Sequence, residues 1–182
     1  MTDTLPTLPP YDENGYLTAE PAIAFTIKRV VRARRSKIFR AWTDPEMFKR
    51  WIVQPNQELV SFSFEAEGRA IWKTKNLTNN EDDEYVLDNQ TLFPYKCIEA
   101  RCFNPAVPGM LDEHPVNLLL TLKKLRFGDG SISTVYKLSL NYDNATLWRH
   151  TSHVDLHTFW LKATERLMQL VERDNIPSQL KA

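Results

Sequence analysis

The sequence predicts an α+β fold: a curved antiparallel sheet wrapped around a long C-terminal helix, with two short helices after the first strand. Three observations predict it. Short runs of helical spacing flank Asp44 and Pro45 in "RRSKIFRAWTDPEMFKRWIV". Apolar and polar residues alternate through much of the stretch from Val60 to Tyr142, as in half-buried strands. From about Ser152 to Asp174 the apolar period lengthens to that of a helix. Such a helix spans roughly 33 Å at 1.5 Å per residue, long enough to cross a whole sheet.

A chain of 182 residues fits one domain with a full hydrophobic core. The expected division is a polar, proline-bearing leader over 1–20, one domain over 21–176 and a short tail over 177–182. The 23 basic and 23 acidic side chains cancel, so charge gives no argument for nucleic acid or an anionic membrane. The basic run "KRVVRARR" alternates with Val30, Val31 and Ala33, as an edge strand with a solvated face does. The opening "MTDTLPTLPPYDENGY" has no apolar core and no basic start, so no signal peptide is expected. No apolar run reaches membrane-spanning length. A cytoplasmic location follows as the expectation, and the glycosylation sequons at Asn76, Asn89 and Asn144 then read as chance matches. The two cysteines, Cys97 and Cys102, are five apart on an expected strand and point to opposite faces, so they cannot bridge each other.

The elements follow in order. Ile23, Phe25, Ile27 and Val31 share one side of a first strand, with Arg29 among them. Ile38, Phe39, Ala41 and Trp42 have helical spacing, with Ser36 placed to cap the helix. Asp44 followed by Pro45 ends that helix and starts another, because proline disfavours helical geometry before it and suits a first turn. Met47, Phe48 and Trp51 form the apolar face of the second helix. Val60, Phe62, Phe64 and Ala66 fall on one face of the next strand, followed beyond Gly68 by Ala70 and Trp72. In "YKCIEARCF", Ile98, Ala100 and Cys102 point inward, with Glu99 and Arg101 on the other face. The proline-rich stretch Asn104–Asn117 reads as an irregular loop. Two strands then flank the hairpin turn "FGDGS", lined by Leu118, Leu120 and Leu122 on one and by Ile132, Thr134, Tyr136, Leu138, Leu140 and Tyr142 on the other. In the closing helix Leu156, Phe159, Trp160, Ala163, Leu167 and Leu170 make one stripe, and Ser152 with Asp155 resembles a capping box.

This order resembles the START/birch-pollen-allergen (SRPBCC) superfamily. Within it the chain looks most like the group named after activators of the ninety-kilodalton heat-shock chaperone's ATPase. "IFRAWTDPEMFKRW", "EGRAIW" and "WLKATERLMQLVE" carry the likeness. It implies a helix-grip fold with a cavity between sheet and long helix, binding lipids, hormones, polyketides or other apolar molecules. Some members are cyclases, lyases or hydrolases, and the group's name implies a co-chaperone role. The chain departs from the group where paired glycines usually stand and it has "EGR". Its longer, acidic and proline-rich loops point to a specialised pocket rim.

Three of the four histidines crowd into "RHTSHVDLHTFW". His150, His153 and His157 form a helical stripe at the border of the buried face. His153 and His157, four apart, match a metal pair, but His150 could supply a third ligand only if the helix already began there, and a Ser152 N-cap would leave it in the preceding turn, so no metal or other cofactor is expected. A histidine at a cavity mouth titrates near neutral pH, so His153 and His157 are the acid/base candidates, with Asp155 or Glu99 as orienting partners. Their plainer role is a hydrogen bond to loop backbone. Trp51, Trp72, Ala100, Cys102, Leu120, Tyr136, Leu138, Leu156 and Trp160 are the candidate ligand-binding residues. The aromatic ones either stack on a flat ligand or simply form core. Cys102 is either a nucleophile or, with nothing near it in sequence to lower its pKa, an inert buried thiol. The expected partner is therefore a hydrophobic, aromatic or polyketide-like small molecule. The helix pair and the Asn104–Asn117 loop would form its way in. Acid/base catalysis of cyclisation, dehydration or hydrolysis is the alternative.

Overall fold

The computed structural model describes residues 23–75, 82–104, 115–142, 148 and 156–173. The leader, the tail, most of the proline-rich loop, His150, His153 and the expected Ser152–Asp155 cap lie outside these described residues. The elements run β1 (Ala24–Val31), α1 (Arg35–Thr43), α2 (Pro45–Ile52), β2 (Gln57–Phe62), β3 (Arg69–Lys75), β4 (Asp82–Phe93), β5 (Cys97–Phe103), β6 (Val116–Arg126), β7 (Ile132–Asn141) and α3 (Leu156–Glu172).

All seven strands join one antiparallel sheet in the order β1-β7-β6-β5-β4-β3-β2. The first two strands in sequence therefore become the two edges, and α1 and α2 bridge between them. Directly opposed residues share a face, so the registers define the inner surface. Ile27, Leu138, Leu120 and Ile98 form one inner row, and Phe25, Leu140, Leu118 and Ala100 the next. These rows pack toward α3, giving an α+β helix-grip fold as the sequence predicts.

Asp44 does the double duty expected of it. Its backbone N–H closes α1 on Arg40 O, while its carboxylate accepts from the Glu46 and Met47 amides at 3.1 Å and opens α2. Those amides hold the Asp44 pKa below the usual carboxylate range. At the start of α1 the expectation fails. Arg34 occupies the N-cap position with no side-chain bond, and Ser36 falls inside the helix, because the chain leaves β1 still extended through Arg34.

The second correction is at β2. A bulge between Leu59 and Ser61 shifts the alternation by one, so Leu59 pairs with Trp72 and Phe62 with Ala70. Val60 is thereby turned out, 51% exposed, and Ala66 is exposed in the following turn. That turn is tight. Gly68 lies so close to Ser63 that a Cβ would sit 2.3 Å from Ser63 O, and Glu67 adopts a left-handed φ of 63°. Asn89 clasps it from β4: its side-chain amide donates to Ser63 O at 3.1 Å, and its backbone N–H donates to Gly68 O at 2.9 Å. The third correction concerns α3. Its buried stripe is Leu156, Trp160, Ala163, Thr164, Leu167 and Val171, with Phe159 and Leu170 at the margin.

Candidate functional site

The nine candidate ligand residues are all buried in one hydrophobic core, which α3 shares with the inner sheet face. Eight of them divide into two groups, and the ninth, Tyr136, lies on β7. Ala100, Cys102, Leu120, Leu138 and Leu156 belong to an aliphatic strip. Trp51, Trp72 and Trp160 belong to an aromatic block that also takes in Trp42, Phe48, Phe64 and Phe159. Trp42 stacks on Trp160 with centroids 6.1 Å apart and meets Trp51 at 4.8 Å; Phe159 stacks on Trp72 at 6.2 Å. Helices α1 and α2 deliver Trp42 and Trp51, β3 delivers Trp72, and α3 delivers Phe159 and Trp160. Arg166 fixes the arrangement by donating from Nε to Trp51 O at 2.7 Å, satisfying a carbonyl of α2's last turn.

The polar atoms of this block differ in one respect. Trp51 donates from Nε1 to Ala41 O at 2.7 Å. The indole N–H groups of Trp42, Trp72 and Trp160, the Tyr136 hydroxyl and the Thr164 hydroxyl are equally buried and make no hydrogen bond within 3.5 Å, although the two hydroxyls lie near enough to each other to interact weakly. Burial raises the Tyr136 pKa above its ordinary value, and the nearby Thr164 hydroxyl partly offsets this. A buried donor or acceptor left unmet costs about 1–3 kcal/mol, so five together are a substantial strain on the core.

His157 lies elsewhere, toward the N-terminal end of α3. Its Nε2 is 2.8 Å from the Tyr142 hydroxyl, its ring stacks on Phe25 at 4.1 Å, and Trp148 closes over it at 4.8 Å. Desolvation lowers its pKa, which favours the neutral imidazole. A neutral ring paired with a phenol can pass a proton in either direction. The partner is a tyrosine side chain, which sequence distance alone did not reveal. Among the described residues no group of three or more His, Cys, Asp or Glu side chains is placed to hold a metal ion.

Glu99 does not approach this interior. It points to the outer face, opposite Leu119 and Thr91, where it is only 5% exposed, and burial pushes its pKa up to about 7. It is therefore not placed to orient His157 as the sequence suggested. Both cysteines are free and buried, and desolvation pushes their thiols up to about 12, which leaves Cys102 almost entirely un-ionised at neutral pH. The sequence reading passed over Thr164, whose signal was its position one turn after Trp160. It placed Trp42 on a helix face without assigning it to the interior.

The sequence matches no family model and no curated protein. Solved structures do share the fold. A protein of Arthrobacter aurescens superposes with a TM-score of 0.65 at 14% identity, covering 84% of this chain and 87% of its own. A protein of Nitrosomonas europaea gives 0.64 at 14% identity, covering 86% and 99%. The Aha1 dimer of Colwellia psychrerythraea gives 0.56 at 14% identity, covering 82% and 96%. At such identities the likeness establishes a common helix-grip architecture. No helix among the described residues is long and apolar enough to cross a membrane.

Proposed function

We propose that this protein is an SRPBCC-type binding protein that encloses a hydrophobic, aromatic or polyketide-like small molecule between α3 and the inner face of its sheet. The supporting observation is the set of unmet polar atoms on Trp42, Trp72, Trp160, Tyr136 and Thr164 within an otherwise apolar, aromatic interior. Binding sites for small molecules combine such apolar walls with a few convergent polar groups. Flat aromatic walls favour flat ligands, through offset or parallel stacking. Native mass spectrometry of the purified protein, before and after denaturation, tests the reading. A small organic mass released on denaturation is the expected result. A bare protein that also fails to take up aromatic probes at high micromolar concentration rules the reading out.

Acid/base catalysis on the same scaffold is a second reading, supported by the 2.8 Å contact between His157 and Tyr142. In it His157, with His153 nearby in sequence, moves a proton on the bound molecule during cyclisation, dehydration or hydrolysis. Conversion of the released molecule by wild-type protein, lost in His157→Gln, is the expected result. Equal conversion by both removes this reading.

A further inference from the structure

We infer that the groove between β1 and α3 is the polar subsite of this interior, and that it takes a neutral hydroxyl or ketone oxygen carried by an otherwise apolar molecule. The inference rests on the ligand-binding reading above and specifies it. The groove has a volume of about 320 Å³ and is lined by Arg29 and Val30 from the edge strand and by Thr164, Glu165, Met168 and Glu172 among the α3 residues. It lies beside β1, an edge strand of the sheet.

Thr164 is where groove and interior meet. It lines the groove, yet it is 1% exposed and its hydroxyl has no partner. Tyr136 stands beneath the groove rather than in its lining, on the inner face directly opposite Arg29 in the β1–β7 register, with its hydroxyl near that of Thr164 but forming no hydrogen bond within 3.5 Å. Each hydroxyl both donates and accepts, so together they accommodate a ligand hydroxyl or a ketone oxygen. Charge decides against an anion. Glu165 and Glu172 line the groove against Arg29, the one guanidinium among its described lining residues, and Glu172 already accepts from the Arg32 amide at 2.9 Å. A carboxylate ligand would meet like charge at the rim and would be desolvated beside neutral hydroxyls. Met168 supplies a deformable apolar wall for the ligand's body.

Calorimetric titration with naphthalene, naphthol and naphthoate, which share one ring system, tests this. Naphthol is expected to bind about 3- to 10-fold more tightly than naphthalene, the gain from one or two neutral hydrogen bonds, with naphthoate weaker than naphthol. Tyr136→Phe and Thr164→Val should each shrink the naphthol preference, and Thr164→Ser, which keeps the hydroxyl, should retain it. Thermal melts of each variant establish that it is folded. Equal affinity for naphthol and naphthalene, or a preference that survives in Tyr136→Phe and Thr164→Val, overturns the subsite while leaving the ligand-binding reading intact. Failure of all three probes to bind overturns both.

Discussion

Two regions of α3 use the same kinds of side chain to opposite ends. Toward its start, His157 meets Tyr142, Phe25 and Trp148, and the tyrosine hydroxyl and imidazole are paired at 2.8 Å. One to two turns on, Trp160 and Thr164 meet Trp42 and Tyr136, and the polar atoms of all four are buried and unmet. In the first region polar chemistry is consumed by the fold. In the second it is held in reserve, at a cost to stability that a bound molecule's hydrogen bonds would offset. Buried polar atoms without partners also occur on Asn89 and Asn141, so it is their combination with the aromatic block that supports the proposed site.

The largest effect should come from breaking the second region outright. Trp160→Ala removes a fully buried indole stacked on Trp42 and is expected to destabilise the fold by about 3–5 kcal/mol in chemical denaturation. A loss under 1 kcal/mol would mean that the aromatic block is not core.

Glu99 extends the comparison to the outer face, as a buried acid without a compensating charge. Its folded pKa of about 7 lies above the model value of 4.5. A raised carboxyl pKa means that the folded state holds its proton more tightly than the unfolded state does. Stability tied to this group is therefore fully present below pH 4.5 and is lost as pH rises toward 7. Glu99→Gln should gain about 1–3 kcal/mol at pH 8 relative to wild type, and little at pH 4. An equal effect at both pH values would remove ionisation as the cause.

The two tyrosines give the sharpest contrast at smaller amplitude. Tyr142→Phe deletes a made hydrogen bond and is expected to cost about 1 kcal/mol, whereas Tyr136→Phe deletes an unmet hydroxyl and should be neutral or stabilising in the ligand-free protein. Equal losses in the two thermal melts would erase the distinction between the regions. Smallest of all, Glu67→Gly should stabilise by about 0.5 kcal/mol, because glycine adopts the left-handed φ of 63° without the steric cost.

Much of this architecture is legible in the sequence because strand alternation and helical period are local signals. The β6 and β7 faces, the Asp44–Pro45 junction and the inward run of Ala70 and Trp72 all follow from nearest neighbours. Val60 shows where that logic stops, since a bulge inserts one residue and turns the rest of the strand over. The glycines expected at "EGR" also acquire a physical meaning, for Glu67 occupies a conformation that glycine prefers. The site is less legible than the fold. Sequence spacing points to His157 as a border residue, but its partner Tyr142 lies 15 residues away in sequence, beyond the reach of any helical period. The unmet state of Tyr136 and Thr164 arises only when β7 and α3 are brought together, and no period in either segment encodes it.

A high-resolution crystal structure of the protein as purified tests the central claim most directly. The account predicts density for an ordered organic molecule or for bridging water, within hydrogen-bond distance of the Tyr136 and Thr164 hydroxyls and of at least one unmet indole N–H. The indoles of Trp42, Trp72 and Trp160 each paired to protein carbonyls, with neither a molecule nor a water at the two hydroxyls, would contradict it.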